Sequence, residues 1–550
     1  MKNKFVLSIA GLALVLVCGP ASANDLLWSG PGVEWDTSTA NWSGDSTIFD
    51  NGDTVSFGSS GPSGIVIQGG GVSPLSTTFL ANAQNYTFTG GGINGGSLNV
   101  FGGLQTFNNG ANTLTGNTNI FAGGTLALTG SATLANTTLN LQRGTLRITG
   151  NSTNTRLSDS NAVTLHSGSI FMDNGPDGIL DETVGILNFS GTSRLDLTRG
   201  GGGPGDLTIL RIADLNRVDR GILEISRAGA DSRTSITVTG TAPVVTNGMV
   251  SPHFIMFAST NSTPSPTPTF ATYISSPNPN VTTGQFAAAT ASGTGLQTVL
   301  NNAGNTGDST LYFATNTGGT LAIRGDEVKN AYAARFSRSF SGGANTTLRV
   351  HGGGIIMEHA TDNLSLDLLN IDLPTGVEGV FYTGRTAGQT FTINGVISGD
   401  NGLTKGGVGT LILGGANTYT GNTTVTEGGL TLTASGELRF ELQDGNNSNK
   451  ITGTGSATLD GIFRIDADGL TNQMGQWKLV DVDTLSETFG GNFGLQFTDN
   501  TTFAQSGTQY TSGDWTFDTT TGYLVAIPEP GTLLLLGIAL GSLLIFRRRK

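Results

Sequence analysis

Residues 391–432, FTINGVISGDNGLTKGGVGTLILGGANTYTGNTTVTEGGLTL, restrict what this chain can fold into more than any other stretch. Apolar residues alternate with threonine in short runs, Thr410 to Leu413, Thr424 to Thr426 and Leu430 to Leu432. The runs are separated by Gly406-Gly407, Gly414-Gly415, Gly421-Asn422 and Gly428-Gly429. Such glycines accept the positive φ of a corner, so the text reads as short strands joined by tight bends. Ile393 to Leu411 is 18 positions, and Leu411 to Leu430 and Leu413 to Leu432 are each 19. A step of that size predicts coils that stack aliphatic residues on those of the coil before, as in a parallel β-helix. The interior then takes the apolar side chains, Thr, Ser and Asn face water, and stacked Asn side chains bond from coil to coil.

The pattern returns earlier in the chain. ANTLTGNT at Ala111 to Thr118 matches ANTYTGNT at Ala416 to Thr423 except for Leu114 against Tyr419. Looser pairs two residues apart follow, Leu126 and Leu128, Leu139 and Leu141, Leu146 and Ile148, Val163 and Leu165, Ile170 and Met172, at steps of about 20 to 24 residues. Composition agrees with this reading. Hydrophobic residues make up 36% and charged residues 12%, which excludes disorder; the 84 glycines follow no three-residue period, which excludes collagen. A net charge of −13 argues against a nucleic-acid partner.

On Gly402 to Lys405, Gly409 to Leu411, Ala416 to Gly421 and Gly428 to Leu430, the segment 391–432 resembles the autotransporter-associated β-strand repeat of bacterial surface proteins. The resemblance implies a right-handed parallel β-helix that is exported and displayed. The membrane β-barrel that follows such passengers in autotransporters, with its many ten-residue alternating strands, does not follow here.

Both ends read as addresses. Lys2 and Lys4, an apolar run from Phe5 to Val17, and the small residues Ala21 and Ala23 predict a signal peptide over 1–23, cleaved between Ala23 and Asn24. Cys18 follows Val17, where a lipoprotein signal needs a small residue, and its removal leaves a chain without cysteine. At the other end, Pro528, Glu529 and Pro530 precede sixteen apolar or small residues, Gly531 to Phe546, and the basic stop Arg547, Arg548, Arg549, Lys550. As a helix the apolar stretch spans about 24 Å, the short edge of membrane-crossing length, with its basic end cytoplasmic. Residues 527–550 resemble the PEP-CTERM sorting signal, which implies processing by an exosortase-type enzyme and delivery to the cell surface or an exopolysaccharide matrix. Without the two tails, which hold six basic residues and one acid, the body carries 21 basic and 39 acidic residues, a net −18.

The expected fold is all-β: a right-handed parallel β-helix with an N-terminal aromatic cap, a C-terminal β module and a short C-terminal transmembrane helix. The cap covers 24–60, where Trp28, Trp35 and Trp42 crowd together and cover the first coil; the other reading of these indoles is a sugar-stacking platform. Coils fill 61–258 and 301–432. Between them, 259–300 is rich in Pro, Ser and Thr, with Pro264, Pro266, Pro268, Pro277 and Pro279, and reads as a loop or linker. Residues 433–526 form the last coils and a closing β module. Whether the two sets of coils make one rod is left open.

Catalytic signals are sparse. His351, Glu358 and His359 match no zinc spacing. Asp466 with Asp468, and Asp481 with Asp483, could share a strand face like the carboxylates of a glycosidase or a calcium-dependent lyase, but surface acid on a −18 body explains them equally. Asp173, Asp177 and Gly178, and Gly202 to Asp206, only partly match calcium loops. The expectation is therefore a secreted, non-enzymatic structural protein of the cell surface or exopolysaccharide matrix. It has no catalytic residues and no cofactor, calcium being the one partially suggested. Its partners are signal peptidase, an exosortase-type enzyme, the inner membrane until the tail is processed, and exopolysaccharide. The alternatives are a polysaccharide-acting lyase or hydrolase, and an adhesin or glycan-binding protein.

Overall fold

A computed structural model describes residues 23–527, apart from internal segments at 136, 154–155, 177, 201–204, 229–232, 260–266, 277–279, 282, 292–308, 314–320, 323–327, 342–344, 360–362 and 368. Ala21 of the signal segment and the whole of 528–550, with the sorting motif, apolar stretch and basic stop, lie outside the described residues, as do Asp177, Pro264, Pro266, Pro277 and Pro279. The described chain is all strand and turn, built as stacked parallel coils. No helix among the described residues is long and apolar enough to cross a membrane.

The predicted step appears in the strand register. Leu411 pairs with Leu430 and Leu413 with Leu432, the 19-residue steps read from the sequence. The 18-residue step is corrected: Leu411 pairs with Phe391 and Ile393 with Leu413, a coil of 20, and the residue more than in the next coil lies in the corner between Gly406 and Thr410. Phe391, Leu411, Leu430 and Ala457 thus form one buried rung line, and Ile393, Leu413, Leu432 and Leu459 another. Each buried Leu or Ile contributes roughly 1.5–3 kcal/mol by leaving water. The strands Thr410–Leu413 and Gly429–Leu432 alternate half-buried positions, Thr410, Ile412, Gly429 and Thr431, with buried leucines, as a one-sided sheet requires.

The repeated ANT motif has a single structural job. Asn112 and Asn417 are both buried at corners. Asn112 Oδ1 accepts the N–H of Ile93 one coil before at 2.9 Å, and its Nδ2 donates to the carbonyl of Thr133 one coil after at 2.9 Å. Asn417 does the same with Ile397 at 3.0 Å and Glu437 at 3.1 Å. Each amide therefore ties three coils together. A separate outward ladder, Asn99, Asn119 and Asn140, bonds side chain to side chain at 2.9 and 3.0 Å.

The first solenoid starts in the aromatic cap. Asp25–Trp28 pairs antiparallel with Trp42–Gly44 and parallel with Thr54–Phe57, which begins the stack. It ends in an antiparallel hairpin, Thr269–Ser275 with Gly284–Ala288, laid on Phe254–Ser259. The expected 259–300 linker is therefore partly an end cap, where Phe286 packs 5.3 Å from Phe254 and 5.2 Å from Tyr273. The second solenoid runs from Leu311–Phe313 to beyond Ser456–Leu459, and an antiparallel sheet closes it, with Tyr523–Ala526 between Gly475–Lys478 and Trp515–Asp518.

The open question of one rod or two resolves as a fold-back. Arg143 and Ser167 meet Thr454, Thr192 meets Thr426, Arg220 meets Asn401, Arg217 meets Glu378, and Glu224 meets Tyr382. Rising numbers in the first solenoid face falling numbers in the second, so the two lie side by side with antiparallel axes. Contact is close: a Cβ on Gly406 would stand 2.2 Å from Ile222 Cδ1.

Candidate functional site

The seam between the solenoids gathers buried charged and polar side chains from both of them. Its strands are buried on both faces, in contrast to the one-sided alternation elsewhere: Ile222–Ala228, Gly379–Tyr382 and Leu403–Gly406 are buried throughout. At one end Ile222, Ile255, Phe257, Ile356, Val380 and Tyr382 form an apolar cluster.

Beside that cluster lies Glu224, fully buried. Its carboxylate accepts from Arg194 Nε at 3.0 Å, Arg385 Nε at 2.8 Å and Tyr382 Oη at 2.6 Å. Burial pushes this carboxyl up, but Arg194 and Arg385 together outweigh burial and hold it below the usual range. Arg194 also bonds Glu427, and Arg385 stacks its guanidinium 3.6 Å over the Phe257 ring. Lys405 is buried alongside, donating to the carbonyls of Gly407, Gly409 and Glu427; burial draws it down to about 7, which the charge of Glu427 partly offsets.

Beside the Thr192–Thr426 contact the two solenoids leave a cleft of about 510 Å³ between them. The first solenoid supplies His166, Asp219 and Arg220; the second supplies Thr424, Lys450, Thr452 and Asp481. Lys450 Nζ lies 3.6 Å from Asp481 Oδ2, to which Thr452 donates at 3.4 Å. Asp219 and Arg220 both hold positive φ, 47° and 56°, a conformation unfavourable for side chains of this kind. Arg217 secures the turn, donating to the carbonyls of Gly221 at 2.7 Å and Arg220 at 3.0 Å while it grips Glu378 at 2.7 and 2.9 Å.

The residues singled out from sequence fall elsewhere. Trp28, Trp35 and Trp42 are 0, 0 and 3% exposed and pack edge to face with one another at 5.0 and 5.6 Å. No indole face is left open to a sugar, so the glycan-contact reading gives way to the cap. Ala23 and Asn24, at the expected cleavage point, are described, and Asn24 is bonded to Asp53 by its backbone N–H and its Nδ2, both at 3.0 Å. Asp466 is held by Arg439, while Lys478 reaches Asp481 at 2.8 Å and Asp483 at 2.6 Å. Asp466, Asp481 and Asp483 are thus engaged in ion pairs. His351 Nε2 is 3.0 Å from Asn330 Oδ1. Among the described residues no three His, Cys, Asp or Glu side chains gather in a metal-binding group.

Glu358, beside His359, is buried near Arg335; burial pushes its carboxyl up to about 7, although Arg335 pulls the other way. The unfolded chain releases this proton near 4.5, so the folded state is the better proton binder between pH 4.5 and 7, and stability falls as pH rises through that window. Glu358→Gln is expected to flatten that fall, by about 1 kcal/mol at pH 7 after allowance for solvent screening. Thermal melts of both proteins across the window check this, and parallel curves would contradict it.

What the coils build is a β-solenoid repeat protein. Residues 526–550, starting at the last residue of the closing strand, match the PEP-CTERM protein-sorting motif. A stretch of 195 residues, 34% of the chain, is 30% identical to a protein named Adhesin BmaC autotransporter, from Brucella suis biovar 1 (strain 1330). The chain spans only 5% of the length of that curated relative.

Proposed function

We propose that this is an exported, non-enzymatic solenoid of the cell surface or extracellular matrix. The observation that carries the reading is a sorting motif over 526–550, which begins at the last residue of the closing strand, Ala526. On this reading signal peptidase cuts between Ala23 and Asn24. The apolar stretch 531–546 holds the protein in the inner membrane, with Arg547, Arg548, Arg549 and Lys550 on the cytoplasmic side. An exosortase-type enzyme then acts at Pro528, Glu529 and Pro530. Stacked coils suit display because rigidity comes from neighbour contacts along the whole length. The likeness to an adhesin favours a second reading, in which the displayed surface binds a glycan or a cell. No cofactor is needed by either.

The test is a Pro528/Glu529/Pro530 triple-alanine variant, followed by cell fractionation and surface labelling. Retention in the inner membrane with loss of surface signal is expected. Undiminished surface delivery would remove the sorting reading.

A further inference from the structure

The cleft between the solenoids receives basic side chains from both of them. Arg220 comes from the first solenoid and Lys450 from the second, with His166 beside them. Their side chains stay partly accessible, 25% for Arg220 and 36% for Lys450. Threonine hydroxyls and the carboxylates of Asp219 and Asp481 complete the lining. Cations, hydroxyls and carboxylates lining one cleft suit a ligand that is both anionic and rich in hydroxyl groups. A simple polyanion such as a nucleic acid would meet repulsion from the two carboxylates and from the −18 body. The volume, about 510 Å³, falls within the ordinary range for ligand sites.

Backbone geometry shapes one wall of the cleft. Two consecutive non-glycine residues, Asp219 and Arg220, are held left-handed at the cleft wall. Glycine at either position would relieve the strain, so the sequence keeps side chains there against local preference. The Arg217 guanidinium, anchored on Glu378 of the other solenoid, fixes that turn. The wall therefore takes its shape only when both solenoids are in place.

We infer that the cleft binds a uronate-bearing oligosaccharide segment, with Lys450, Arg220 and His166 receiving the sugar carboxylate and Thr452, Asp219 and Asp481 the hydroxyls. This deepens the surface reading by naming what the displayed protein holds.

The probe is a galacturonate trimer, titrated calorimetrically into purified full-length protein at low salt, with maltotriose as the neutral counterpart. The expected result is binding of the galacturonate trimer alone, weakened about tenfold in Lys450→Gln and again in a Lys450→Gln/His166→Gln double variant. Lys450→Arg serves as the second variant: it keeps a cation at that position and should bind more tightly than Lys450→Gln. Equal affinity for maltotriose, affinity unchanged in Lys450→Gln, or no heat at millimolar ligand would each overturn the inference. The sorting assay and this titration fail separately, because one reads localisation in cells and the other reads binding by purified protein.

Discussion

Glu224→Ala will destabilise the protein by about 3–5 kcal/mol, because it removes a fully buried carboxylate and leaves Arg194 and Arg385 without their shared partner. The loss exceeds that of an ordinary surface ion pair, worth about 0–1 kcal/mol. Glu224 is fully buried and accepts from Tyr382 as well as from both guanidiniums. Three of the contacts that join the solenoids here depend on this carboxylate, directly or through Arg385. Denaturant unfolding of the parent and the variant gives the energy. Small-angle scattering gives the mechanism: a longer particle in the variant means that the solenoids have parted while their coils survive. Glu224→Gln keeps the acceptor oxygen without the charge and should lose less. An unfolding midpoint for Glu224→Ala equal to that of the parent would show that the seam is not held by this network.

Trp35→Ala is the second large effect, about 3–5 kcal/mol from the cavity and the lost ring contacts. The Trp35 ring touches Trp42, Phe49, Phe57 and Phe88, with centroids 5.4 to 6.3 Å away, so it links the cap to the first two coils. In a stack stabilised by nearest neighbours, the loss of an end should spread inward from that end. Amide exchange is therefore expected to quicken first in Thr54–Phe57 and Ser76–Phe79, while Thr410–Leu413 keeps its protection. Uniform loosening of both solenoids would contradict a cap role.

Much of this architecture was legible because each coil repeats a local rule. Leu411 and Leu430 could be paired from the sequence alone, since alternation and corner glycines mark both the strand and its length. The Asn of the ANT motif could be read as a corner residue; that its amide spans three coils needed coordinates. The cap was legible from three tryptophans within fifteen residues, although their total burial was not. The linker was misread in part because proline density hid the strand Thr269–Ser275 just beyond it.

The seam left a fainter trace. FIMFAS at Phe254–Ser259 and VFY within Gly379–Tyr382 break the apolar–polar alternation with continuous apolar runs, the pattern of a strand covered on both sides. Lys405 and Glu224 gave no such sign, because a charged residue at an outward position ordinarily faces water.

The sequence by itself determined the coil, its approximate length, its N-terminal cap and the sorting motif of the tail; the coil was legible because it rests on contacts about 20 residues apart that recur with a period. Only the tertiary structure decided that the solenoids lie side by side and that a cleft opens between them. Those contacts join residues 158 to 311 positions apart, and no period in the text relates Glu224 to Tyr382 or Arg143 to Thr454. Their pairing is set by where the chain turns back and by which outward faces can exclude water together.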